Sequence, residues 1–491
     1  MSYLKNKTIS NFIWKLMERL LAQGVSFAVS ILLARLLVPN DFGVVSIVLI
    51  FVDICNVFIS EGVATSLIQK ENVDELDYSS MFYASFIFSL LIYILLFFMA
   101  PRIADYFGEQ YYLLTSLLRV MALQIPISSF KTIQQAIVSR KLQFRKFFFS
   151  TLGGTVVSAI VGVWMAYKGF GAWALIGQYL TNTIIDTFIL VITVKWYPVK
   201  EFSWVRVRQL LPFGLHMLTV GLIDTSYNEL RSFVIGKKYN ASDLSFYNRG
   251  KQIPSIVITN INSSLVAVLF PVMSKFQTDL DEIVYICRRT VKISTYILFP
   301  LMLGLAGISD NLIILLLTEK WAKAIPYVKI FCVIYAFYPI YTVNLQAIKA
   351  LGEGKSYLFI ELLKKIVGII ILIVSIPYGT YNIARGLLLA TCVNYLINGI
   401  STRILLGYSF KLQILDILPN LLISIVTFIF VVVIPFKYES ILLDIICQIA
   451  IGVLCFVLLS FVTKNDSFNR IVYMIMNSFI GKQNVNVSKD N

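Results

Sequence analysis

Histidine is almost absent from this chain of 491 residues, where His216 stands alone. Cysteine is sparse as well: Cys55, Cys287, Cys332, Cys392, Cys447 and Cys455 are irregularly spaced, and none forms a CxxC pair. Metal centres and disulfide frameworks both need such residues in clusters. No metal and no cofactor are therefore expected, and the cysteines read as small apolar packing groups. Charge is scarce too. Charged residues make up 14% of the chain, against about 25% in soluble domains. With 58% hydrophobic residues and a mean hydropathy of +0.79, a soluble globular protein is excluded.

What the chain has instead is apolar blocks, such as Ser79–Ala100, Thr183–Val194 and Ile417–Pro435. Runs of roughly 20 apolar residues match the bilayer core. Read against polar punctuation, about 14 transmembrane helices fall near 11–37, 42–66, 79–100, 112–138, 147–167, 171–195, 210–236, 246–271, 288–309, 324–349, 356–377, 380–402, 413–435 and 440–462. The first ten residues are polar and no small-residue cleavage site follows, so no removable signal peptide is expected. Net charge is +15. In a membrane protein this excess follows from Lys and Arg on cytoplasmic loops, so nucleic-acid binding is not expected. The clusters Arg140–Lys146, Lys195–Arg208, Arg288–Lys292 and Lys349–Lys365 share one side. Both termini are accordingly expected in the cytoplasm. The basic segment Lys237–Lys251 dissents, being assigned to an outer loop.

Weak internal duplication is common in transporters. Gln135-Ala136-Ile137 recurs as Gln346-Ala347-Ile348, Gly169 and Ala174 match Gly379 and Ala384, and Asp41 matches Asp243. These anchors keep chain order at offsets of 202 to 211 residues, equivalent to six spans, an even number that makes the copies parallel. The expected architecture is an N-terminal six-helix lobe (1–200), a C-terminal six-helix lobe (201–407), two additional helices (408–463) and a cytoplasmic tail (464–491). In the tail, Phe468–Ile480 is amphipathic and suits the membrane interface. No outer loop has room for a catalytic domain, so a transporter is expected and an enzyme is not.

Ionisable groups inside spans cost roughly 2.5–3.5 kcal/mol on insertion scales and point to a cavity or a partner. The basic set is Lys15, Arg19, Arg119, Lys131, Arg231, Lys329 and Arg385; the acidic set is Glu18, Asp53, Glu61, Asp186, Asp224 and Glu229. Arg119 and Lys329 lie 210 positions apart, the offset of the repeat, so two halves could present a cation each to one anion. The plainer reading is that Arg119 and Arg385 snorkel to the outer surface and Lys131 to the inner one. Asp224 and Glu229 share a span with Arg231 and are expected to pair with it locally. Asp53 and Asp186 have no local partner and stand out, with Glu61, Asp224 and Glu229, as ion-coupling candidates. Prolines at 126, 254, 300 and 339 interrupt spans. Tyr335, Tyr338 and Tyr341 form a stripe at helical spacing that reads as packing or as a stacking surface for sugar.

The segment Leu33–Gly43 (LARLLVPNDFG) resembles the loop between the first two spans of Wzx-type polysaccharide flippases. Glu61–Gln69 is similar to the end of their second span, and Ala100–Ala104 to the segment after their third. Within the MATE-like exporter superfamily the likeness is to the colanic acid exporter type. The resemblance implies two six-helix bundles around a central cavity in a bacterial inner membrane. It also implies an undecaprenyl-pyrophosphate-linked oligosaccharide as substrate, moved to the outer leaflet while its tail stays among membrane lipids. Coupling to H+ or Na+ and polysaccharide polymerase partners would accompany that role. Arg19, Arg119, Lys131, Arg231, Lys329 and Arg385 would then meet pyrophosphate or sugar. The alternative is a cation-coupled multidrug or metabolite exporter of the same fold, which would favour an acidic cavity.

Overall fold

A computed structural model describes Met17, residues 21–434, residues 440–473, and residues 476 and 477. Every element among them is helical. Among the described residues ten helices, with Glu319–Ala350 taken as one, are long and apolar enough to cross a membrane. The chain forms two compact units, Met1–Ser245 and Phe246–Asn491.

The first unit opens with α1 (Leu21–Leu36), α2 (Pro39–Gln69) and α3 (Glu75–Phe107). A broken passage follows, α4 (Leu114–Met121) and α5 (Gln124–Arg140), then α6 (Phe144–Tyr167), α7 (Ala172–Val194) and α8 (Trp204–Lys238). Pro39 starts α2, where a missing N–H costs nothing, and the Asp41 carboxylate accepts from the Val38 N–H at 3.3 Å. Gly43, in the segment that carried the resemblance, is required sterically: a Cβ there would sit 1.7 Å from the carbonyl oxygen of Ala241. Farther along, α2 crosses α8 at Gly62 and Gly214, each backbone within contact of the other, the close approach that small residues permit between membrane helices.

One end of this unit is tied by a collar of hydrogen bonds. The Arg140 guanidinium donates to the carbonyls of Leu67, Ile68, Lys70 and Glu71, satisfying the exposed C-terminus of α2. Asp77 pairs with Lys70 and Arg206. Ser79 and Ser80 accept from the Val199 and Ser203 amides, and Trp196 donates to Glu75 at 2.7 Å. The Asp77 amide holds the Asp74 carboxyl below its usual range, helped by Arg206 and Lys70. Two residues of the basic clusters, Arg140 and Arg206, are thus structural staples as well as orientation signals.

The second unit takes most of α9 (Ala241–Ser274), then α10 (Leu280–Leu317), α11 (Ile325–Ala336), α12 (Tyr338–Ala350), α13 (Gly354–Ser375), α14 (Thr380–Leu406), α15 (Phe410–Val433) and α16 (Ile441–Val462). Its element boundaries echo those of the first. α3 and α10 end at Phe107 and Leu317, short 3-10 turns begin at Glu109 and Glu319, and α6 and α13 begin at Phe144 and Gly354, each pair 210 positions apart. Left-handed backbone recurs at Gly108 and Thr318. The break between α4 and α5 lies near Pro126, and that between α11 and α12 near Pro339, whereas Pro254 and Pro300 sit inside continuous helices. Asp243 occupies the third position of α9 as Asp41 does in α2, and its amide donates to Asn240 at 2.8 Å.

Two expectations are corrected. The basic segment Lys237–Lys251 is not a loop, because α8 runs to Lys238 and α9 starts at Ala241. Lys364 is not a loop cation either: it is 3% exposed within α13.

Candidate functional site

In the first unit, the ionisable groups fall in two places. On α2 and α8, Asp53, Glu61 and Asp224 are exposed and Glu229 is half-buried. Asp53 and Glu229 lie within electrostatic reach of one another, and Gly221 of α8 abuts Val57 and Glu61 of α2. Carboxylates within a span are expensive in lipid and call for a cavity, a partner or a proton. Arg231, 6% exposed, accompanies them. The partners expected for it are Asp224 and Glu229 of the same helix. Its guanidinium stacks on Tyr227 at 5.2 Å, and Nη2 donates to the Tyr227 hydroxyl at 3.4 Å.

The second place is the α5–α6–α7 packing. Lys131 Nζ lies 2.6 Å from Asp186 Oδ2, with the lysine side chain 26% exposed and the aspartate 6%. Asp186 Oδ1 is buried with no donor among the described residues, while the Asp186 Cβ packs against Gly154 of α6. Sequence left Asp186 without a partner because Lys131 arrives from two helices earlier. The pair is an ion pair with one buried and one accessible member.

Arg119 is bound to α3: Nε donates to the Phe97 carbonyl at 3.0 Å, and the guanidinium lies 4.3 Å from the Phe97 ring. Its repeat counterpart Lys329, on α11, is exposed and paired at 2.7 Å with Asp310 of α10. Asp310 lies just past the apolar run that ends near 309, and α10 continues for two more turns. Arg385 is exposed, stacked 4.4 Å over Tyr381, with Nη1 donating to Asn382 at 3.4 Å. Arg19 lies outside the described residues.

The second unit also holds a cluster that sequence did not identify. Lys364 donates to the Glu361 carboxylate, to Asn398 Oδ1 at 3.2 Å and to the Tyr341 hydroxyl at 3.4 Å. Tyr341 donates to Glu361 at 3.0 Å, and its ring lies 4.4 Å from the ammonium. Tyr341 stands 210 positions after Lys131, and Lys364 stands 210 after Gly154. The available signal was Glu361 one turn before Lys364 in an apolar run. Tyr335, Tyr338 and Tyr341 are themselves successive ring contacts at 6.1 and 5.6 Å. Among the described residues no group of His, Cys, Asp and Glu is arranged to hold a metal ion.

An apolar groove of about 400 Å³ completes the inventory, lined by Leu301 and Leu305 of α10, Val431 of α15, and Ile449, Val453 and Phe456 of α16.

The fold is shared with solved transporters. A lipid II flippase MurJ in an inward closed conformation matches with a TM-score of 0.72 at 17% identity, covering 93% of this chain and 99% of that one. An inward-facing multidrug resistance MATE family transporter of the MOP superfamily matches at 0.62 and 14% identity, over 80% of this chain and 98% of that one. Among curated relatives, the succinoglycan biosynthesis transport protein ExoT of Rhizobium meliloti (strain 1021) is 24% identical, over 95% of this chain and 96% of its own. The lipopolysaccharide biosynthesis protein WzxC of Escherichia coli (strain K12) is 22% identical over 67% of each. A model of the polysaccharide biosynthesis protein family matches residues 32–326, and this chain belongs to that family.

Proposed function

We propose that the protein is a flippase. It carries an undecaprenyl-pyrophosphate-linked oligosaccharide, a precursor of surface polysaccharide, across the bacterial inner membrane by alternating access, and it is not an enzyme. The observation that carries this reading is membership of the polysaccharide biosynthesis family, joined by the nearly full-length match to a succinoglycan transport protein. We read fourteen spans: the ten long apolar helices and Leu21–Leu36, joined by the broken passage α4–α5, α8 and α13. In this reading they form two six-helix bundles and two additional helices, with both termini in the cytoplasm.

The chemistry suits such a cargo. A pyrophosphate carries several negative charges, and cations in a low-dielectric setting hold it far better than water does. Lys131 is the best placed of the candidate cations, since it can leave Asp186 for a competing anion. Arg119, Arg231, Lys329 and Arg385 contribute further positive charge, and Arg19 belongs to the same set. The polyprenyl chain is assigned to the apolar groove beside α16. Asp186, when Lys131 turns to the substrate, needs a proton or a sodium ion in its place. That exchange couples transport to an ion gradient, with Asp53, Glu61, Asp224 and Glu229 of α2 and α8 as the route. A polysaccharide polymerase is the natural consumer on the outer side.

Depletion of the protein in cells tests the reading. Lipid-linked oligosaccharide is expected to accumulate facing the cytoplasm while surface polysaccharide falls. Unchanged polysaccharide with no accumulation would refute it.

A further inference from the structure

α10 is 38 residues long, about 57 Å at 1.5 Å per residue. This exceeds the ~30 Å hydrocarbon core, so its first turns stand at headgroup level. There Arg288, Arg289 and Lys292 line a cavity of about 160 Å³, closed on its other side by Asp466, Ser467 and Arg470, just beyond α16. Asp416 of α15 consumes two of these charges, at 2.8 Å from Arg288 and 3.4 Å from Lys292. Arg289 and Arg470 have no acidic partner among the described residues, and Asp466 reaches only Lys292, at 4.0 Å.

The far wall is firmly built. Asn465 and Ser467 are 6% and 3% exposed. Asn465 Nδ2 donates to Asn420 Oδ1 at 3.0 Å, and Ser467 Oγ donates to the Lys292 carbonyl at 3.3 Å. The crevice is therefore preformed, with two unpaired guanidiniums facing it. Its surroundings are apolar and open: Phe461 and Val462 at the end of α16 are 71% and 74% exposed, and Val472, Tyr473 and Met476 are exposed on the segment that follows. Exposed apolar residues beside basic ones at the end of a span mark the lipid interface.

We propose that this crevice binds the phosphate of an anionic membrane phospholipid, held by Arg289 and Arg470, and so fixes the segment after α16 to α10 and α15. A soluble anion would supply the same phosphate chemistry, but the apolar flanks select the lipid.

Native mass spectrometry of the full chain released from detergent tests this, with phosphatidylglycerol, phosphatidylcholine and inorganic phosphate as probes. Phosphatidylglycerol is expected to remain bound and phosphatidylcholine to leave. In R289Q/R470Q the apparent affinity for phosphatidylglycerol is expected to fall about 20- to 30-fold, from roughly 1 kcal/mol for each charge at a membrane surface. Undiminished binding in that variant, or equal retention of phosphatidylcholine, would overturn the proposal. Inorganic phosphate binding as tightly as the lipid would overturn the lipid as its source. Should the variant fail to fold, the wild-type chain at molar salt decides: loss of phosphatidylglycerol supports the site, and retention overturns it.

Discussion

Each unit places a lysine among packed helices, at different positions of the repeat, and satisfies it differently. In the first, Lys131 on α5 meets Asp186 on α7 and remains a quarter exposed. In the second, the cation has moved to α13. There Lys364 is 3% exposed and surrounded by Glu361, Asn398, Tyr341 and an aromatic face. The position of Lys131 is taken by Tyr341, and the position of Gly154 by the lysine itself. A saturated cation braces three helices, whereas the partly exposed Lys131 keeps one side open to other partners. In the proposed function the pair of the first unit is the one that exchanges partners.

This contrast can be broken most visibly at Lys364. Removing one partner of a buried ion pair typically costs 3–5 kcal/mol because a charge is left uncompensated. K364M is expected to destabilise the protein by about that amount in thermal unfolding. Replacing Glu361 as well, in K364M/E361L, is expected to recover much of the loss. A K364M protein as stable as wild type would remove the brace. A smaller change, about 1–3 kcal/mol, is expected for D186N, since Lys131 can turn to water. Transport should fall at least tenfold in that variant although it folds. Full transport by folded D186N would deny the exchange. The smallest effect belongs to the exposed Lys329–Asp310 pair. D310N should shift stability by less than about 1 kcal/mol, and a larger shift would mean that the pair is a second brace.

Much of the fold was legible because apolar run length and helical span are tied by bilayer thickness. The repeat was legible because its anchors are fixed by backbone geometry: Asp41 and Asp243 cap helices, and Ala136 and Ala347 are fully buried. The pairings were not. Lys131 and Asp186 are 55 positions apart, and nothing in the chain between them announces that α5 packs on α7. Lys364 was read as an orientation charge because it follows Lys349 and Lys355, although Glu361 one turn earlier neutralises it. For Arg231 the sequence offers carboxylates on its own helix, but the aromatic ring of Tyr227 one turn earlier takes its guanidinium, a partner that charge counting misses.

The central claim is transport of a lipid-linked oligosaccharide, and reconstitution measures it directly. Vesicles holding an undecaprenyl-pyrophosphate-linked oligosaccharide in the inner leaflet are treated with a membrane-impermeant sugar-modifying reagent. With the wild-type protein present, the fraction of sugar that becomes accessible outside should rise with time, and folded D186N should slow that rise. Equal accessibility in protein-free vesicles and in vesicles with the wild-type chain would contradict the account.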